Sequence, residues 1–276
     1  MWSVVWHRFK RSRLAVIALI YVAFITMLAI AAPFVAGNDP YKIDLVHRFS
    51  PPSSEHRFGT DDVGRDVLAR MIHGARVSLL IGFSATLIAL FVGSFFGAIA
   101  GYYGGAADWI VSRLIEVVLC FPFLFLVLGI VALFRSSLAT IMIALGLTSW
   151  TTEARYVRGE VLRLRELEFA QAARASGARD WRIIFRHLLP NALAPVLVSA
   201  SFGVANAILV ESALSFLGLG VQVPIPSWGG ILSVAEQVID YAWWLVLFPG
   251  LAIFTTVAAF NVIGDRFRDA LDPRSE

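Results

Sequence analysis

The sequence is short of cysteine and of charge. One of its 276 residues is a cysteine, Cys120, so no intrachain disulfide can form. Set in the run VVLCFPFLFLVLGIVALF, it reads as a small core residue. Charged residues make up only 16%, against about 25% in soluble domains, and 58% of the chain is hydrophobic. Water is therefore not its main solvent. There is no GxxxxGK[ST] phosphate loop, so the chain cannot hold ATP in that manner. There is no HExxH, and all five histidines (His7, His47, His56, His73 and His187) fall outside the long apolar runs. An intramembrane zinc protease or a bis-histidine haem protein is excluded on that ground. No resident cofactor and no nucleic-acid partner is expected.

What the sequence has in quantity is apolar length. A bilayer core is crossed by about 20 predominantly apolar residues in a helix, which bonds its own backbone where lipid cannot. Six segments meet or approach that length: Leu14 to Ala36, Val77 to Ala100, Val117 to Phe134, Ser136 to Thr152, Leu188 to Val210 and Tyr241 to Gly264. The first follows a basic start but is too long for the core of a signal peptide, and five more follow it. A seventh stretch, 212–235, is uncharged but carries four glycines and two prolines. It is expected to face outward and dip toward the bundle.

Lysine and arginine placement orients the spans. Four basic residues lie in 1–13 and eight arginines in 153–187, and the tail adds Arg266, Arg268 and Arg274. Six spans place these three regions together on the cytoplasmic side. The segment 37–76 then lies outside, where its basic residues are matched by acidic ones.

The stretch EFAQAARASGARDWRIIFRHLLP, residues 168–190, is the most distinctive polar segment. Glu168 to Ser176 predicts a helix with a surface of short side chains, Ala170, Ala172, Ala173 and Ala175, which another protein can approach closely. Gly177 suits a positive φ that stops it. Ala178 to Leu189 predicts a second helix, and Pro190 opens the next span. Arg179, Arg182 and Arg186 form a cationic stripe on it, with Trp181, Ile184 and Leu188 as an apolar one. An amphipathic helix resting on anionic lipid headgroups has the same pattern.

The spacing of Gln171-Ala172-Ala173, Gly177, His187 and Leu189-Pro190 resembles the EAA motif of permease subunits in binding-protein-dependent ABC importers. Gln171 stands for the family's glutamate and His187 for its isoleucine. HRFGTDDVGRDVLARMIHGARVSL (56–79), GYYGGAADWIVSR (101–113), RHLLPNALAP (186–195), ESALSFLGLG (211–220), PSWGGIL (226–232) and FNVIGDRFRDALDPR (260–274) are similar to one branch of it, the second permease subunit of dipeptide, oligopeptide and nickel importers. The resemblance implies a loop that docks into a cytoplasmic ATP-hydrolysing subunit, with Arg182 and Arg186 available to acids on that partner. It also implies a second, homologous permease as heterodimer partner, one or two ATP-binding subunits that hold ATP and Mg, and an extracytoplasmic substrate-binding protein. Di- or oligopeptides are the leading cargo, nickel or another small solute the alternative. A passive channel or scaffold is the rival of a different class, and such a pore has no use for the loop.

Other polar residues read more plainly. His56, Asp61, Asp62 and Asp66 offer the donors of a metal site, but a turn in which Asp61 or Asp62 caps the next helix accounts for them. Glu116 and Glu211 lie at the ends of spans. An ionisable residue at membrane depth is a functional candidate by its cost, and Glu211, beside the glycine-rich SFLGLG, is expected at the outer mouth of the translocation route. Asp265 after Gly264 suggests a short stop helix ended by Pro273.

The expectation is thus an all-α polytopic membrane protein with six transmembrane helices and the type I ABC importer permease fold. Its parts are a cytoplasmic tail (1–13), a first span (14–36), an outside segment (37–76), a permease core (77–264) containing the coupling loop at about 153–190 and an outer segment at 211–240, and a cytoplasmic tail (265–276). Both termini are expected on the cytoplasmic side of the inner membrane, and ATP hydrolysis in a separate chain.

Overall fold

The computed structural model describes residues 2–134 and 136–271. Among them, apart from one isolated bridge between Thr60 and Asp66, every regular element is helical. The α-helices are α1 (Trp2–Arg11), α2 (Arg13–Ile30), α3 (Ala32–Val35), α4 (Val67–Tyr103), α5 (Gly105–Leu119), α6 (Phe123–Phe134), α7 (Leu138–Leu164), α8 (Glu168–Ala175), α9 (Asp180–Arg182), α10 (Leu189–Phe216), α11 (Trp228–Val234) and α12 (Trp244–Leu271).

Four of these, α2, α4, the Pro195–Phe216 part of α10 and α12, are long and apolar enough to cross a bilayer, and α5 with α6 make a fifth if they are one bent span. Helix α7 has the length, 27 residues, but its second half is charged. Counting it makes six, a number compatible with the chain's path between two ends of the bundle. At one end Phe9 of α1 meets Phe267 of α12, and Arg165 donates to the carbonyls of Gly101 and Tyr102. At the other, Trp244 Nε1 donates to the Thr60 carbonyl at 3.1 Å, and Ser136 Oγ donates to Leu219 and Gly220 before α7 begins.

Three local expectations need correction. The run Val117 to Phe134 is not one helix: α5 and α6 meet at 86° across residues 120–122. Pro122 lacks an N–H and crowds the preceding turn, and it instead starts α6, accepting from the Leu126 N–H at 3.1 Å. Cys120 sits on this bend and is exposed, so it is not a core residue. Gly264 does not end its helix, which runs on through Asp265 to Leu271. A methyl on Gly264 would stand 2.9 Å from the Phe202 ring, so close packing rather than chain reversal explains the glycine. Pro273 and Arg274 lie outside the described residues.

The bundle is organised around α4 against α7. Gly93, Gly97 and Gly101 repeat every four residues along one face of α4. A Cβ on each would come within 2.6, 2.5 and 2.8 Å of α7 backbone carbonyls. Small residues at this spacing let helix backbones touch, which is what drives association where lipid removes the hydrophobic force between helices. The contact fixes the ends of α4 and α7 on which the loop 165–188 rests.

At the far end, the helix cap is Asp66, not Asp61 or Asp62. Asp66 Oδ1 accepts from the Ala69 N–H at 2.8 Å and Oδ2 pairs with His56 at 2.9 Å. Asp61 is held inside the preceding turn, accepting from the Arg65 backbone at 2.9 Å and its Nε at 2.7 Å. No metal-binding group of three or more donors occurs among the described residues. Residues 217–243 fold back over this end, where Trp228 is fully buried and donates to the Met71 carbonyl at 3.1 Å. Nearby, on the exposed 3₁₀ turn Leu45–His47, His47 and Asp44 pair at 2.8 Å. Mutual hydrogen bonding raises the His47 pKa and lowers that of Asp44.

Candidate functional site

The loop between α7 and α10 has two faces with different fates. Helix α8 begins at Glu168 and ends at Ala175, and its C-terminus closes through Gly177, whose φ is +74°. The Ala178 N–H reaches the Ala173 carbonyl at 3.1 Å and the Gly177 N–H that of Arg174 at 2.9 Å, the double closure that only a left-handed residue permits. Ser176 Oγ adds a bond to the Ala172 carbonyl at 2.8 Å. Gln171, Ala172, Ala175, Ser176 and Gly177 are exposed.

The other face is anchored. Ala170, Ile183, Ile184 and Leu188 are buried with Ala98 and Tyr102 of α4 and Val157, Val161 and Leu164 of α7. Each large side chain so covered contributes about 1.5–3 kcal/mol. Ala173 is partly buried in the same cluster, so it packs inward as well as outward. Tyr102 Oη donates to Asp180 Oδ1 at 2.7 Å, and the Arg174 guanidinium lies over the Tyr102 ring at 5.1 Å. These ties join both arms of the loop to the last turn of α4. Asp180 reads in the sequence as a residue near the start of the second helix, and its pairing with Tyr102 is not legible there. GYYGG sits at the end of an apolar run, and nothing in its spacing reveals a partner 78 positions away.

The second arm differs from the two-helix expectation. Helical structure runs without a break from Asp180 into α10, with Ile183–Leu188 as a π-helical segment in which the Leu189 N–H bonds the Ile184 carbonyl. The physical reason is Pro190, which cannot donate and clashes with the turn behind it. A wider turn absorbs both effects without stopping the helix. Arg182 and Arg186 are exposed and His187 half-buried, as are the adjoining Phe185 and Leu189. Trp181 leaves the apolar stripe: it is 61% exposed, and its ring lies tilted against that of Phe185 with centroids 3.9 Å apart.

The carboxylates separate clearly. Glu116 is exposed and pairs with Arg113 at 2.5 Å. Glu211 is fully buried inside the chain. It accepts from Ser215 Oγ at 2.8 Å and from Ser78 Oγ at 3.4 Å, and Ser78 Oγ also receives the Trp228 N–H at 3.3 Å. It ties α10 and α4 to the start of α11 and opens onto no surface in this conformation. A third carboxylate, Glu153, was hidden by its position one residue past an assigned span. It is 5% exposed, accepts from Ser199 Oγ of α10 at 2.5 Å, and lines a cleft of 390 Å³. The signal available in the sequence was the polar run Thr148, Ser149, Thr151, Thr152 inside an otherwise apolar segment.

Residues 93–276 match the family model of the binding-protein-dependent transport system inner membrane component. The chain belongs to this permease family. Residues 1–52 match the N-terminal transmembrane domain of oligopeptide transport permease C. Among curated relatives, the dipeptide transport system permease protein DppC of Alkalihalophilus pseudofirmus is 45% identical over 273 residues, covering 99% of this chain and 90% of the relative. The oligopeptide transport system permease protein OppC of Bacillus subtilis is 39% identical over 99% and 90%. The glutathione transport system permease protein GsiD of Pectobacterium atrosepticum is 39% identical over 99% and 91%. Of solved structures, an inward-facing form of the MetNI methionine ABC transporter superposes with TM-score 0.56 at 20% identity, covering 73% of this chain and 96% of that one. An amino acid ABC transporter gives 0.54 at 17% identity, covering 73% and 94%. These two share the fold. The permease is thus a multi-pass, all-helical transport subunit, itself the non-enzymatic component.

Proposed function

We propose that this permease is the second membrane subunit of an ATP-driven importer of di- or oligopeptides, and that residues 168–190 couple it to the motor. In this reading it crosses the inner membrane six times, with α7 as the fourth crossing and α5–α6 as a broken third, and the loop and both termini face the cytoplasm. It pairs with a homologous permease. One or two ATP-binding subunits, holding ATP and Mg, receive the loop, and an extracytoplasmic binding protein delivers cargo to the other side.

The observation that carries the reading is the division of labour in the loop. Its inner face is fixed to the ends of α4 and α7, while Gln171, Ala172, Ala175, Ser176 and Gly177 stand clear. Short side chains on a braced helix give a partner close backbone approach, and the unbroken helical path through Leu189 and Pro190 into α10 transmits force along a span. Exposed Arg182 and Arg186 supply charge for acids on that partner. The relatives' transport of dipeptides and oligopeptides points to the cargo.

The test is an affinity purification of this chain from its native membrane, comparing the intact loop with Ala172→Arg. Ala172 is chosen over Ala173 because it is exposed and its replacement disturbs no internal contact. The ATP-binding subunit is expected with the intact chain and lost from the variant, while the partner permease stays with both. An ATP-binding subunit retained by the variant removes the docking assignment.

A further inference from the structure

The cleft beside Glu153 is not accounted for by the coupling loop. Two helices, α7 and α10, turn faces that carry polar groups toward each other there. On α7, Ser149, Thr152 or Glu153, Tyr156 and Glu160 recur at helical spacing, and on α10, Ser199, Phe202 or Gly203 and Asn206 do the same. The bend between α5 and α6 supplies a third wall through Phe121 and Phe123.

A second cleft of 330 Å³ shares Tyr156, Ser199 and Phe202 with the first and ends at Arg268 and Leu271, at the loop end of the bundle. Together they form a track along α7 and α10 whose walls are mainly apolar, with polar groups set into them. Glu153 lies well inside it. Its Cβ stands opposite Gly93, seven residues before Ala100, or about 10 Å along the helix axis from the end of the apolar part of α4.

The Glu153 carboxyl group has no cationic partner among the described residues, and the Ser199 hydroxyl is its one hydrogen-bond donor. It is the only Asp or Glu on a 390 Å³ cleft whose other polar groups are hydroxyls and the Asn206 amide. A carboxyl at membrane depth without a cation is costly to ionise and is a functional candidate for that reason, and a cation brought by a ligand would offset that cost. The volume lies within the range of small-molecule pockets, about 300–1,000 Å³. A transition metal is a poor fit, since no imidazole or thiolate lines the cleft.

We propose that this cleft is the permease's own contact with cargo in transit, with Glu153 binding its cationic amino group. The hydroxyls of Thr152 and Ser199 and the amide of Asn206 face the peptide backbone, and the Phe121, Phe123 and Phe202 rings face its side chains. The assignment places recognition in the membrane subunit as well as in the delivering protein. It rests on the peptide reading above.

The experiment reconstitutes the complete importer in proteoliposomes with saturating binding protein and measures ATP-driven uptake of labelled dialanine and of a labelled tetrapeptide. Wild type is compared with Glu153→Gln, Glu153→Asp and, as a control on the exposed face, Glu116→Gln. Uptake by Glu153→Gln is expected to fall at least tenfold with the assembled complex recovered in normal yield, to return in part with Glu153→Asp, and to be unchanged in Glu116→Gln.

Uptake by Glu153→Gln within twofold of wild type overturns the proposal and leaves the peptide reading standing. Wild-type complex that carries neither peptide overturns both. Should Glu153→Gln fail to assemble, Thr152→Val and Ser199→Ala on the same walls carry the test. A threefold or greater loss of uptake in either supports the cleft, and wild-type uptake in both removes it.

Discussion

The glycine face of α4 makes the sharpest prediction. In Gly97→Val, the new Cβ would stand 2.5 Å from the Ala154 carbonyl oxygen and 3.0 Å from Val157 Cβ. Ordinary contacts begin at 3.4 Å, so α4 and α7 must separate by roughly 1 Å or bend, and overpacking of this kind costs about 1–3 kcal/mol. Replacing a helical glycine returns at most about 1 kcal/mol, less for a β-branched residue, and valine's two further methyls have no space. The net loss expected is about 2 kcal/mol, roughly 4–8 °C in melting temperature on the size scaling of soluble domains.

Gly159→Ala is the internal comparison. It lies in the same pair of helices but faces open space, so only the propensity term acts and the change is zero to about 1 kcal/mol in the stabilising direction. Thermal unfolding of both variants in one detergent, followed by helical circular dichroism at a fixed scan rate, decides the matter. Because Val157, Val161 and Leu164 also hold the loop, Gly97→Val should speed hydrogen exchange across 170–188. A Gly97→Val protein that melts with wild type, or a Gly159→Ala protein that falls as far as Gly97→Val, would refute the reasoning that backbone contact organises this bundle.

Two further outcomes are expected. Tyr102→Phe removes the bond to Asp180 but keeps the ring under Arg174, so amide exchange over 180–188 should rise between about twofold and tenfold, the measure of one hydrogen bond of about 0.5–1.5 kcal/mol; no change would mean that the loop is held by packing alone. The His47–Asp44 contact should depend on pH in both directions. The raised His47 pKa gives stabilisation that is complete below its ordinary value of 6.5 and disappears as pH climbs through the folded value. The lowered Asp44 pKa gives stabilisation present above 3.8 and lost as pH falls through its folded value. Histidine NMR should therefore find His47 titrating above 6.5 and returning toward it in Asp44→Asn.

The sequence by itself determined the solvent and the class. Runs of about 20 apolar residues leave a backbone no choice but helix in lipid, and the spacing from Gln171 to Pro190 carried the permease resemblance with it. It also located the stop at Gly177, because positive φ is a local demand that a single residue type meets. Other features are legible in part. Pro122 is visible in the sequence, yet whether a proline kinks a span or breaks it depends on what surrounds the bend.

Only the tertiary structure decided which polar groups meet. Glu211 and Glu153 look alike as isolated carboxylates at the margins of spans. One is closed in by serines of α10 and α4, while the other faces a cleft with one hydroxyl for company. Tyr102 and Asp180, 78 residues apart, come together because three glycines let α4 lie directly on α7. Local pattern records what each segment must do with its own backbone and its own faces. The pairing of faces is fixed by close packing between segments distant in the chain, and that packing selects which buried carboxyl is sealed and which is left open.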